Sequence, residues 1–210
     1  MKCKVISTGS KGNAVIVNDE ILVDCGVPYK KIEPYADKLK IVLLTHEHSD
    51  HFRKSTIAKL HFENPAVRFG CCEWLKSKLE NTIQESRLDI YHCGKVFHYA
   101  NFDISPVQLY HDVPNCGYRI YANREKGIYM TDTKTVEGIV AKDYDLYMIE
   151  ANYEEWELDD RLSRKLEKGQ YAYEISAKER HLSEESAKKW LEENNTKNGE
   201  VVFLHKHIKE

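Results

Sequence analysis

The sequence predicts one layered α/β domain, an αββα arrangement in which two β-sheets are covered by helices. Three observations carry that expectation. The 210 residues are close to the usual size of one compact domain, roughly 100–200 residues. Short runs rich in Val and Ile dominate the first two thirds of the chain, and helical periodicity dominates the last third. No repeat, low-complexity tract or linker cuts the chain, so residues 1–210 read as a single domain.

Residues 2–6, 13–17 and 20–24 are β-branched runs separated by SKGN and ND, turn chemistry that makes the first 25 residues a small antiparallel meander. An apolar strand from Ile41 to Thr45 then stops abruptly in a polar cluster, HEHSDH. Further strands are expected at 66–69, 88–91, 95–99, 102–109, 117–122, 127–131, 145–149 and 201–204. Helices are expected at 54–63, at 71–80, and at 134–141 with Thr133 as its cap. A fourth, 153–168, has Leu158, Leu162 and Leu166 on one face and Gly169 as its stop. The fifth, 184–194, starts from Ser183 and shares one face among Ala187, Trp190 and Leu191.

Composition narrows the function classes. With 41% hydrophobic and 31% charged residues, ten glycines and five prolines, the chain is neither disordered, collagenous nor a membrane protein. No apolar run reaches the ~18–20 residues that cross a bilayer, and the N-terminus enters a strand without a signal-peptide core. A cytoplasmic protein with no membrane partner is expected. The six cysteines are scattered and form no CxxC, which favours reduced, mostly buried thiols. A net charge of −3, from 31 basic and 34 acidic residues, argues against a broad basic surface for nucleic acid. It leaves room for a protein that grips phosphate through metal ions.

Chemistry concentrates at THEHSDH. Three of the ten histidines, His46, His48 and His51, fall within six residues, with Asp50 between the last two. Residues two apart on an extended segment point the same way, so His46 and His48 can share one metal. Asp50 and His51 then follow the turn and can face a second. Imidazole with carboxylate suits zinc and would also accept manganese or iron.

The HxHxDH pattern with the upstream Asp24 resembles the metallo-β-lactamase-fold hydrolases, four-layer αββα sandwiches with a dinuclear metal site. The resemblance extends along nearly the whole chain and implies a role for each later strand end. Asp24, in ILVDCG, supports the ligand loop. His111, in VQLYHD, completes the first metal, Asp132, in YMTDT, bridges both, and His205, in VVFLH, closes the second. The implied metal set is therefore His46, His48, Asp50, His51, His111, Asp132 and His205, holding two divalent ions, zinc first. STGSKGNAV, DCGV, HDVPNCGYRI and the HLS tripeptide resemble most the WalJ/YycJ-like branch, associated with nuclease activity. The chain departs from that branch at Arg180, which stands where relatives carry a glycine before HLS, and at its end, where HKHIKE replaces HLSxxN. LYMIEANYE resembles an element of tRNA 3′-processing relatives, which implies that Glu150 orients His181 and His181 protonates the leaving oxygen. Asp50, Glu150 and His181 are the catalytic candidates.

Two ions about 3.5–4 Å apart can hold a hydroxide and lower the pKa of its parent water from about 15.7 towards about 7. The expected function is a dinuclear metal-dependent phosphodiesterase or nuclease acting on DNA or RNA, with nucleic acid as substrate and no obligate protein partner. The alternative is a small-molecule hydrolase of the same fold, acting on a thioester, lactone or cyclic phosphodiester. A flavodiiron-type oxidoreductase would want a carboxylate where His48 stands. TGSKGNA lacks the phosphate-loop pattern and reads as a hairpin turn whose Ser10, Lys11 and Asn13 border the site in the resembled fold. Arg53 and Lys54 read as an exposed basic pair that could steer a phosphate, and His61, His92 and His98 as structural or surface residues. Between His205 and His207, the first is the expected ligand, because Asp24, His46 and Asp132 are each the first polar ligand beyond a strand core.

Overall fold

A computed structural model of the chain describes residues 1–171 and 173–206. The chain forms two compact units, Met1–Pro106 and Val107–Glu210, and its strands form two six-stranded sheets.

In the first unit, β1 (Cys3–Ser7), β2 (Ala14–Val17) and β3 (Ile21–Val23) make the expected antiparallel meander. β4 (Ile41–Leu44), β5 (Arg68–Cys72) and β6 (Leu88–Tyr91) extend it in parallel, each beside the last. Parallel neighbours need crossover connections. These are α1 (Tyr29–Ile32) with a 3₁₀ turn at Glu33–Lys38, α2 (Lys54–Glu63) and α3 (Glu73–Leu79). β2, β3 and β4 are buried along their whole length, which is why they read as unbroken apolar runs. Ile16, Leu22, Val42, Leu44 and Phe69 form a core with Ile57, Leu60 and Leu75 of the helices. Truncating one such Leu to Ala costs roughly 2–5 kcal/mol. A short strand, β7 (Phe97–His98), pairs with the start of β8 (Phe102–Tyr110).

β8 runs on into the second unit, where β9 (Pro114–Ala122) and β10 (Glu125–Met130) form a hairpin. Its loop, Asn123 and Arg124, has both residues at positive φ, 55° and 66°, the arrangement that suits a two-residue turn to the twist of the strands. β11 (Leu146–Glu150) and β12 (Glu200–Leu204) lie parallel to β10. Between them the chain makes α4 (Glu155–Glu167), α5 (Tyr173–Arg180) and α6 (Glu184–Asn194). The Ser183 hydroxyl caps α6 by accepting from Ser186 N at 3.1 Å. Ile128, Met130, Tyr147 and Ile149 pack with Trp190 and Leu191 in this unit's core. No helix among the described residues is long and apolar enough to cross a membrane.

Two expected helices differ. Residues 134–141 are turns and irregular chain. Thr135 and Val136 are β-branched, Gly138 adopts φ +77°, and Val136, Ile139 and Ala141 reach the core from a turn closed by Ile139 N donating to Val136 O at 3.1 Å. Thr133 therefore caps no helix; its hydroxyl donates to Thr135 O at 2.8 Å. The helix expected at 71–80 begins at Glu73, because Cys71 and Cys72 complete β5 against β6. α5, polar and weakly periodic, was not expected.

Candidate metal centre

In the first unit, the tips of the parallel strands β3 and β4 open at the same edge. Asp24, the residue after β3, is fully buried and turns the chain in the left-handed region at φ +63°. From there its carboxylate accepts from Thr45 N at 3.0 Å, from Thr45 Oγ1 at 3.0 Å and from His51 Nδ1–H at 2.7 Å. A buried carboxylate is tolerable only when it is satisfied in this way. The HEHSDH loop is thereby closed at both ends on one side chain. Within it the rings of His46 and His48 lie 4.9 Å apart, those of His46 and His51 4.2 Å apart, and Asp50 Oδ2 is 3.7 Å from His51 Nε2.

Asn13, at the start of β2, ties the first turn to this loop. Its backbone N–H donates to Asp50 O at 2.6 Å, and its carbonyl accepts from Gly26 N at 2.9 Å. Its buried amide accepts from Gly9 N at 2.8 Å, donates to Gly9 O at 3.2 Å and stands 2.7 Å from His51 Nε2. Gly26 allows the close approach: a Cβ there would lie 1.6 Å from Asp50 O. Cys25, beside Asp24, is a packed thiol whose pKa burial pushes up.

In the second unit, β10, β11 and β12 run parallel, so their C-terminal ends share one edge, the place where open α/β sheets gather functional groups. Asp132 follows β10 at φ +53°, Glu150 ends β11, and His205 follows β12 at φ +52°. His111 follows β8, and His181 lies between α5 and α6. Asp132 Oδ1 is 3.5 Å from His181 Nδ1, 3.6 Å from His205 Nε2 and 4.0 Å from His111 Nε2. Asp132, Glu150, His181 and His205 offer ligand atoms that all lie within 4.8 Å of one another. Asn115 fixes the turn at Asp132 by donating to Thr131 O and Asp132 O at 3.0 and 2.7 Å.

Glu150 is fully buried. Its Oε2 accepts from Thr133 N at 2.9 Å and Leu182 N at 3.3 Å, and its Oε1 accepts from His181 Nδ1–H at 2.6 Å. The His181 and His205 rings stack at 5.0 Å. His111 Nδ1–H donates to the Arg180 carbonyl at 3.0 Å. Burial pushes the His111 imidazole below its ordinary pKa, against the opposing pull of Asp132, which favours the neutral form that ligates metal.

The donor sets fit divalent ions. Four histidines keep Nδ1 against an acceptor: Thr45 Oγ1 for His46, Asp24 for His51, the Arg180 carbonyl for His111 and Glu150 for His181. That pattern turns Nε2 toward a ligand or a proton and is the usual support of metal-bound imidazole. At His51 a metal would take the position now held by the Asn13 amide. The chain thus gathers His111, Asp132, Glu150, His181 and His205 at one sheet edge of the second unit, and Asp24, His46, His48, Asp50 and His51 at one loop of the first. His207 lies outside the described residues. Sequence reasoning did not find the partners Thr45, Asn152, whose amide lies beside His205 Nδ1, and the Arg180 carbonyl, nor the clamping role of Asn13. His61 accepts from Gln84 N, and His98 pairs with Asp103, both apart from either donor set.

Residues 19–205 match the family described as a β-lactamase superfamily domain. Exodeoxyribonuclease WalJ of Streptococcus pneumoniae is 28% identical over 177 residues, covering 73% of this chain and 63% of the relative. The chain therefore spans less than two thirds of the length of that curated relative. Among solved structures, the metallo-β-lactamase fold protein YhfI from Bacillus subtilis superposes with a TM-score of 0.73 at 18% identity, over 99% of this chain and 87% of its own. The short form of human tRNase Z gives a TM-score of 0.66 at 15% identity, over 98% and 93%. The described residues form two sheets and six helices, the α/β class expected from the strand and helix pattern. The family match runs through both units, and the chain belongs to the β-lactamase superfamily, with the metallo-β-lactamase fold.

Proposed function

We propose that this chain is a divalent-metal-dependent hydrolase of phosphodiester bonds in nucleic acid. The observation that carries the reading is the His181–Glu150 pair at 2.6 Å, with His181 also 3.5 Å from Asp132. His46, His48, Asp50, His51, His111, Asp132 and His205 are the proposed ligands of two ions, zinc first. When bound, the ions neutralise non-bridging phosphate oxygens and acidify a water that serves as nucleophile at neutral pH.

The residues supply what remains. Asp24 and Asn13 hold the ligand loop, and Asp50, besides ligating, orients the attacking water. Glu150 has its second oxygen filled by two backbone N–H groups, so its first oxygen is committed to His181 Nδ1–H. The exchangeable proton therefore sits on His181 Nε2. A protonated His181 delivers it to the leaving sugar oxygen, with the buried carboxylate holding the ring in orientation. A sugar alkoxide is a poor leaving group and needs this donor, whereas a thiolate or a phenolate does not. The pneumococcal relative is named an exodeoxyribonuclease, which favours DNA as substrate and attack from a chain end.

The test is His181→Ala on two substrates. Turnover of an oligonucleotide should fall on the order of 10²–10⁴-fold, the usual worth of a general acid, while metal content is kept. Loss on bis-p-nitrophenyl phosphate should be much smaller. Equal losses would remove the donor role, and wild-type protein inert on nucleic acids after zinc or manganese reconstitution would remove the reading.

A further inference from the structure

Beside Asp50 the first unit has a cleft of about 510 Å³, walled by Ser10, Lys11, Ser49, Arg53, Lys54 and Ser55. Its three cations are placed differently from four others of this unit. Lys59, Arg68, Lys76 and Lys78 each face a carboxylate, Glu63, Asp89, Glu73 and Glu47 respectively. Among the described residues no ion pair engages Lys11, Arg53 or Lys54. Three cations and three hydroxyls thus border one concavity in a protein whose net charge is −3. The one aromatic in the wall, Phe52, is buried and offers no exposed ring face for stacking a base.

The walls come from segments forty residues apart, yet they are joined. Lys11 rides on a turn closed by Gly12 N donating to Gly9 O at 2.9 Å. Gly12 has φ +124°, and a Cβ there would meet Gly26 O at 2.4 Å, so the turn is pressed against the chain after β3. Asn13 bonds to Asp50 and Gly26, and Arg53 N donates to Cys25 O at 3.3 Å. α2 starts in this wall without a side-chain cap, so its first backbone N–H groups add to the attraction for an anion. The cations are therefore carried on backbone already fixed in place, which lowers the entropy lost on binding.

We propose that this cleft is a phosphate subsite of the substrate strand, holding a phosphate next to the bond being cut. Lys11, Arg53 and Lys54 supply the charge and the serines the hydroxyl donors, and Asp50 at the border marks the side on which chemistry occurs. The inference rests on the nucleic-acid reading above. Phosphate contacts fix register and carry no sequence information, so cleavage should be indifferent to base identity here. The phosphate is either internal to the strand or a terminal one; both have the same chemistry.

The test compares wild type with Lys11→Ala/Arg53→Ala/Lys54→Ala, and with Lys11→Gln alone, whose exposed turn position keeps folding out of question. Substrates are a single-stranded DNA oligonucleotide bearing a 5′-phosphate, the same strand with a 5′-hydroxyl, and bis-p-nitrophenyl phosphate, assayed across a KCl series. For the oligonucleotides the slope of log kcat/KM against log salt should flatten by about 0.7 per contact removed, near two for the triple variant. The ratio of oligonucleotide to bis-p-nitrophenyl phosphate kcat/KM should drop about tenfold or more. Wild-type preference for the 5′-phosphate that vanishes in the variants would assign the terminal phosphate, and equal weakening of both strands the internal one. An unchanged slope and ratio would overturn the subsite while leaving the nuclease reading intact. Wild type that hydrolyses bis-p-nitrophenyl phosphate and no nucleic acid would remove that reading and the subsite with it.

Discussion

The two units assemble their donors in opposite ways. In the first, His46, His48, Asp50 and His51 fall within six consecutive residues and are drawn tight by two side chains, Asp24 and Asn13. In the second, His111, Asp132, Glu150, His181 and His205 come from five places spread over the unit, each set by the end of its own strand or helix. A short loop keeps its donors neighbours through chain connectivity, but their orientation depends on very few clamps. Donors on separate strand ends depend on the whole sheet, and the loss of one leaves the others where they were. The first arrangement should be vulnerable at its supports and the second at its individual ligands.

The largest effect is expected from a single proposed ligand in the second unit. His205→Ala should lose roughly one of two metal equivalents and most activity while the fold persists, and His207→Ala should keep both metals; metal content by mass spectrometry, with turnover, checks this. The reverse pattern would place the ligand two residues further on. Next comes a support in the first unit. Asp24→Ala leaves buried donors from Thr45 and His51 without their acceptor, which should cost about 3–5 kcal/mol in urea unfolding of metal-stripped protein. Metal affinity should weaken about 10–100-fold as well. A cost below about 1 kcal/mol would show that Asp24 is not a clamp of the kind that surface pairs fail to be. The smallest effect is expected for Thr45→Val, which removes one hydroxyl from the same carboxylate and should cost about 1–3 kcal/mol by the same measurement. If Thr45→Val matched Asp24→Ala, the hydroxyl rather than the carboxylate would organise the loop.

The same contrast decides what could be read from the sequence. β3 and β4 were legible because a strand buried on both faces is an unbroken apolar run, and each is followed at once by a polar residue, Asp24 and Thr45. HEHSDH was legible because its donors are contiguous. The supports were not: the partner of His111 is a backbone carbonyl at Arg180, which any residue could provide, and Asn152 and Asn13 look like ordinary turn residues until their strands are placed. The helix expected at 134–141 shows tertiary structure overriding pattern. Val136, Ile139 and Ala141 do reach a core, as apolar spacing suggested, but a turn with Gly138 at positive φ carries them there.

Asp24, Asp132 and His205 share one backbone feature: each stands just past a strand tip with φ between +52° and +63°. Asn tolerates that conformation about as well as Asp, whereas β-branched residues do not. Backbone geometry alone would therefore allow Asp and Asn to interchange at 24 and 132 by a single codon step; at 24 the donors gathered on the buried carboxylate forbid it, and at 132 only selection on chemistry does. The practical use is a separation of roles: Asp132→Asn retains the turn geometry while removing the carboxylate charge, so it divides what the backbone contributes at this strand tip from what the carboxylate contributes.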